Sequence, residues 1–101
     1  MRLFVGFLSF NLASGIFLPA PALAGVHEEF GTIIEVRNDE FVITKAHDPS
    51  DKKHFHVGHK TEIWIGGRSA WLPDLQPGMQ VTVLYKKRFP AMNYARLVEA
   101  Q

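Results

Sequence analysis

The stretch Pro77-Gly78-Met79-Gln80-Val81-Thr82-Val83-Leu84-Tyr85-Lys86 decides the fold class. A Pro-Gly pair makes a turn, and the residues after it alternate. Val81, Val83 and Tyr85 share one face, and Thr82, Leu84 and Lys86 share the other. Successive side chains of a strand point to opposite sides, so a period of two means a half-buried strand.

The same signal recurs in both directions. Upstream, Phe30 to Val36 and Phe41 to Thr44 are rich in β-formers and flank the polar turn Arg37-Asn38-Asp39-Glu40, which predicts a hairpin. Ala46 to Lys53 reads as a polar connection built on the turn-forming Asp48-Pro49-Ser50-Asp51. His54-Phe55-His56-Val57 alternates again, as does Thr61 to Ile65, which ends at Gly66-Gly67. Ser69 to Leu75 has room for one helical turn, limited by Pro73, and a final strand is expected near Tyr94 to Glu99 after a loop from Lys87 to Asn93. Five or six short strands with no helix of ordinary length predict an all-β domain. A small Greek-key barrel is the expected form, because closure removes exposed strand edges; an open sheet or half of a sandwich is the alternative.

The N-terminus has a different character. Met1-Arg2 gives a short positive start, Leu3 to Leu18 is almost wholly apolar, and Pro19-Ala20-Pro21-Ala22-Leu23-Ala24 ends in a small-x-small triplet. That order predicts a secretory signal peptide over residues 1–24, cut before Gly25. A spanning helix needs roughly 20 apolar residues, whereas Asn11, Ser14 and Gly15 interrupt a shorter run here. The expected product is therefore a periplasmic or secreted domain of residues 25–101, without stable membrane insertion. The chain has no cysteine, which excludes a lipoprotein anchor and leaves a small core without disulfides. Without Arg2, the 11 basic residues become 10 and match the 10 acidic ones. Bulk charge does not suit a polyanion binder, and export argues against nucleic acid as a partner.

Gly31-Thr32-Ile33, Phe41-Val42-Ile43, Thr61-Glu62-Ile63, Asp74-Leu75-Gln76-Pro77-Gly78-Met79-Gln80-Val81 and Ala95 to Val98 follow one another as in small exported bacterial OB-like domains of unknown function, which the chain resembles. That resemblance implies an OB-like barrel and carries no chemistry. His47-Asp48-Pro49 followed by His54-Phe55-His56 also resembles the His-Asp-Pro and Met-x-Met pattern of periplasmic copper- and silver-binding chaperones of metal-efflux systems. In this sequence imidazoles stand where that family has thioethers. The resemblance implies His47 as a ligand, with His54 and His56 in the place of the two methionines.

Four of the five histidines, His47, His54, His56 and His59, lie within thirteen residues. His54 and His56 are two apart on a predicted strand, so their rings project from one face and can share a divalent ion. His47 would add a third nitrogen, and Asp48 or Asp51 an oxygen or an orienting hydrogen bond. Imidazole donors suit copper(II), zinc or nickel. The competing reading makes His54 and His56 the solvated side of an amphipathic strand and His59 a turn residue, with Lys52, Lys53 and Lys60 repelling a cation. A pH-responsive surface is a third reading.

Lys86-Lys87-Arg88-Phe89 forms a basic run, read either as a solvated strand end or as a contact for an anionic envelope polymer or acidic protein. Met79, Met92, Trp64 and Trp71 are expected to pack rather than to bind. No nucleophile triad, zinc-protease motif or phosphate loop is present, and Glu28-Glu29 sits near an expected frayed start, so no enzyme is expected. The sequence thus points to an exported binding module with a candidate transition metal. The alternative is an accessory module that binds an envelope protein or polymer.

Overall fold

A computed structural model describes residues 25–88 and 90–101; the signal peptide expected over residues 1–24 and the aromatic end of the basic run lie outside them. Seven strands form one mixed sheet: β1 (Val26–Val36), β2 (Glu40–Lys45), β3 (Asp48–His56), β4 (Glu62–Ile65), β5 (Arg68–Ala70), β6 (Gln80–Arg88) and β7 (Met92–Ala100). Their order is β3-β2-β1-β6-β7-β4-β5, and β3 also meets β7. Five strands therefore form a ring, β1-β2-β3-β7-β6. It stops short of a formal barrel, because β3 and β7 pair at the single position His56↔Tyr94.

The alternation read in β6 holds: Val81, Val83 and Tyr85 are buried, while Thr82, Leu84 and Lys86 are half-exposed. Phe41, Ile43, Phe55 and Ile33 face them across the ring. Leu72 and Leu75, at the ends of the expected helical turn, a 3-10 turn at Leu72–Asp74, join the same core. The chain after that turn is stitched to β1, with Gly78 N–H donating to the Ile33 carbonyl at 2.8 Å and Ile33 N–H to the Met79 carbonyl at 2.9 Å.

Three expectations need correction. β1 does not fray at Glu28-Glu29 but begins at Val26. Its first half pairs with β6 and its second half with β2, so one long strand serves two neighbours. Asp48-Pro49-Ser50-Asp51 is not the turn between strands; Ala46-His47 is, and β3 starts at Asp48. The turn chemistry survives locally, since the Asp48 carboxylate accepts from the Ser50 hydroxyl at 2.6 Å and its N–H at 3.2 Å. The result is a bulge that breaks register between Thr44 and Lys45. Gly66-Gly67 ends β4, as read, but also begins a hairpin to β5. Both glycines take positive φ, 58° and 83°, as a two-residue primed turn requires.

On the outer side of the sheet, Glu99 lies in register between Thr82 of β6 and Trp64 of β4. Partial burial raises its carboxyl above the ordinary value. A raised folded-state value means that the protonated form fits better. The associated stability is fully present below the unfolded value and is lost as pH rises through the folded one. Glu99→Gln is therefore expected to raise Tm slightly at pH 7 and to give no gain below about pH 4, where the carboxyl is protonated in both states. Thermal melts at the two pH values check this; equal gains at both would contradict it.

Candidate functional site

β3 carries the alternation that matters for binding. Phe55 and Lys53 point into the ring, whereas Lys52, His54 and His56 point out. On β2 the outward positions opposite them are Thr44, Val42 and Glu40, paired respectively with Lys52, His54 and His56. The hairpin between β6 and β7 approaches the same region from the other side. Between the two runs an open groove of about 600 Å³, lined by Glu40, Lys45, Lys52, Lys53, His54 and His56 on one side and Ala91, Met92 and Asn93 on the other.

The groove exists because β3 and β7 meet once and then splay. At the meeting point the His56 and Tyr94 rings lie 5.6 Å apart, and the Arg88 guanidinium stands 4.8 Å from the Tyr94 ring centre. Gly58 makes room for this stack: a Cβ there would fall 2.1 Å from the Tyr94 hydroxyl. Below it, the Asn93 side-chain amide donates to the His54 carbonyl at 3.2 Å, tying the two walls together.

The charges around the groove are unequally committed. Glu40 is ion-paired to Arg37, which also holds Glu35 at 2.6 Å, and lies only 3.7 Å from His54 Nδ1. The guanidinium holds the Glu35 carboxyl below its usual range. Lys45 pairs with Asp51 at 3.1 Å. Lys53 turns inward, donating to the Tyr85 hydroxyl at 2.6 Å and to Glu29 at 3.4 Å. Glu29 is the one buried charged residue among the described residues, where a frayed end was expected. Lys52, Lys86, Lys87 and Arg88 make no ion pair among the described residues. On the groove wall Lys52 is thus unpaired among the described residues, while Glu40 shares the Arg37 guanidinium with Glu35.

The structure brings together two of the expected metal ligands, His54 and His56. It separates the third: His47 sits exposed in the β2–β3 turn, on the order of 15–20 Å along β3 from His54. Asp48 stays with it at that far end, its carboxyl held low by the Ser50 hydroxyl and N–H. His59 lies exposed in the turn after β3. Among the described residues no group of three His, Asp or Glu side chains is arranged to hold a metal ion. Lys86 is half-buried on β6, and Lys87 and Arg88 are exposed at its end, opposite Asn93 and Met92.

Asn93, Tyr94 and Glu40 were not among the candidates read from sequence. Asn93 and Tyr94 act through His54 and His56, distant in sequence, whereas Glu40 pairs with Arg37 within the turn that joins β1 to β2. In comparisons with known proteins, no family model, no curated protein and no solved structure matches this chain.

Proposed function

We propose that this is an exported, non-enzymatic binding module with an OB-like ring, and that its groove receives an anionic envelope partner. The ring order β1-β2-β3-β7-β6, with β3 and β7 parallel, supports the OB-like reading. The groove lies on the β2–β3 side beside the β6–β7 hairpin, a surface on which such folds take extended polymers. The observation that carries the proposal is that Lys52 on the groove wall, and Lys87 and Arg88 at the end of β6 opposite Asn93 and Met92, make no ion pair among the described residues. The near-neutral total charge does not oppose this: Asp51 is paired to Lys45, and Glu35 and Glu40 share the Arg37 guanidinium.

A charge reversal tests it. Lys52→Glu/Arg88→Glu is expected to weaken binding of an anionic polymer such as polyglutamate by at least about tenfold, at about 1.4 kcal/mol per factor of ten, and to flatten its salt dependence. Unchanged affinity would overturn the proposal.

A second reading rests on His54 and His56 facing the same way. Two imidazoles bind copper(II), zinc or nickel with water or a partner group completing the shell. Calorimetric titration with each metal, repeated on His54→Ala/His56→Ala, checks it. Submicromolar binding lost in the double variant supports it, and heats at buffer level remove it.

A further inference from the structure

We infer that the outer face of β4, β5 and the end of β7 receives an arginine-rich segment of a partner protein, with guanidinium groups stacked on Trp64 and Trp71 and paired to Glu62 and Glu99. This surface lies apart from the groove, which none of these four residues lines.

Strand alternation places the four side chains on one side. On β4, Ile63 and Ile65 face the core, so Glu62 and Trp64 face outward. Trp64 pairs with Ser69 of β5 on one side and with Glu99 of β7 on the other. Ala70 packs on the core, and Trp71 follows it with extended backbone (φ −114°, ψ 163°), which returns the chain to the outer side. Trp71 was expected to pack, but it is 79% exposed, the most of any large apolar side chain among the described residues. The Asp74 carboxylate accepts from the Trp71 N–H at 2.9 Å and adds a further negative charge beside it.

Charge selects the occupant. Glu62 and Glu99 make no ion pair among the described residues, and Glu62 accepts a long bond of 3.4 Å from Trp64 Nε1. Burial raises the Glu99 carboxyl, and no neighbouring cation offsets that shift. Arg96, at the bulge of β7, and Lys86, on β6, border the face and are likewise without an ion pair among the described residues. The tryptophan end is therefore short of positive charge. Two indoles beside two uncommitted carboxylates suit a planar cation. A guanidinium stacks on an aromatic ring while its N–H fork grips a carboxylate, and its aliphatic stem covers half-exposed Leu97, the neighbour of Glu62. An ammonium is a point charge with no plane to stack. A neutral sugar stacks on the indoles but leaves the carboxylates uncompensated.

Trp64 and Trp71 are the chain's two tryptophans, so intrinsic fluorescence reads this surface directly. Titrating the purified protein with an amidated hexa-arginine peptide is expected to shift the tryptophan emission saturably. Hexalysine should bind more weakly, and hexaglutamate and cellohexaose should have no effect. Glu62→Gln/Glu99→Gln should weaken hexa-arginine about fivefold or more through the loss of two exposed charge contacts. Trp71→Leu should weaken it as well, read by the anisotropy of a fluorescein-labelled peptide. Lys52→Glu/Arg88→Glu should not weaken it, which separates failure of the groove reading from failure of this one. The inference is overturned if hexa-arginine gives no saturable change, or if the Glu62→Gln/Glu99→Gln variant binds it as tightly as the parent. Equal binding of hexalysine or of cellohexaose also overturns it, the latter marking a glycan platform instead.

Discussion

Gly31→Ala is expected to destabilise the protein by about 3 kcal/mol or more, at or beyond the upper end of ordinary overpacking. Gly31 is buried where β1 passes between its two neighbours, paired to Lys45 of β2 and Val81 of β6. A Cβ would lie 2.0 Å from the Thr44 carbonyl oxygen and 2.9 Å from Ile43 Cδ1. The first contact is with backbone, so no rotamer change relieves it; β2 itself must move. A domain of this size has about 5–10 kcal/mol in total, so the variant should show a large fall in the urea midpoint. Gly66→Ala is the control. Its φ of 58° strains an L-residue, but open space surrounds it, and the cost should be near 1 kcal/mol. If both variants lose the same amount, close packing of β1 on β2 is not what excludes a side chain at position 31.

Phe55→Ala should cost about 3–5 kcal/mol, a large part of the total stability of a domain of this size. Phe55 is fully buried, with the Phe41 ring at 5.4 Å and the Tyr85 ring edge-on at 5.0 Å. It also lies between His54 and His56, so its anchoring of β3 positions the wall of the groove that carries both imidazoles. Tyr85 in turn accepts from Lys53, which neutralises buried Glu29. Losing the aromatic contact therefore loosens a buried ion pair as well. Phe55→Leu, which keeps most of the volume, should lose much less. Urea denaturation followed by near-ultraviolet circular dichroism reads both. A loss below about 1.5 kcal/mol for the alanine variant would show that the site collapses around the gap.

The strands were legible where alternation is undisturbed. Val81, Val83 and Tyr85 could be placed inward because every second residue of β6 meets the same core. The Arg37 to Glu40 turn was equally plain, since β-forming runs flank it. The start of β3 was misread because Asp48-Pro49-Ser50 makes a local turn whether it lies between strands or within one. β5 went unseen because three residues are too few to show a period. Glu29 and Lys53 were hidden for another reason: charged residues at inward positions look like breaks in a strand, and their pairing spans 24 residues.

The histidines divide in the same way. That His54 and His56 share a face follows from their spacing alone, because the pleat of a strand admits no other arrangement. Whether His47 joins them depends on which end of β3 it occupies, and that was decided by the bulge at Asp48 to Asp51. The sequence by itself therefore determined the all-β class, the inward and outward faces of β6 and the pairing of two imidazoles. Only the tertiary structure decided that the ring meets at one residue pair, that Lys53 is neutralised by Glu29, and that Lys52, His54 and His56 share a groove with Met92 and Asn93. Period-two patterning is a property of the chain with itself; ring closure and the buried Lys53–Glu29 pair depend on strands that are remote in sequence, and no local pattern encodes them.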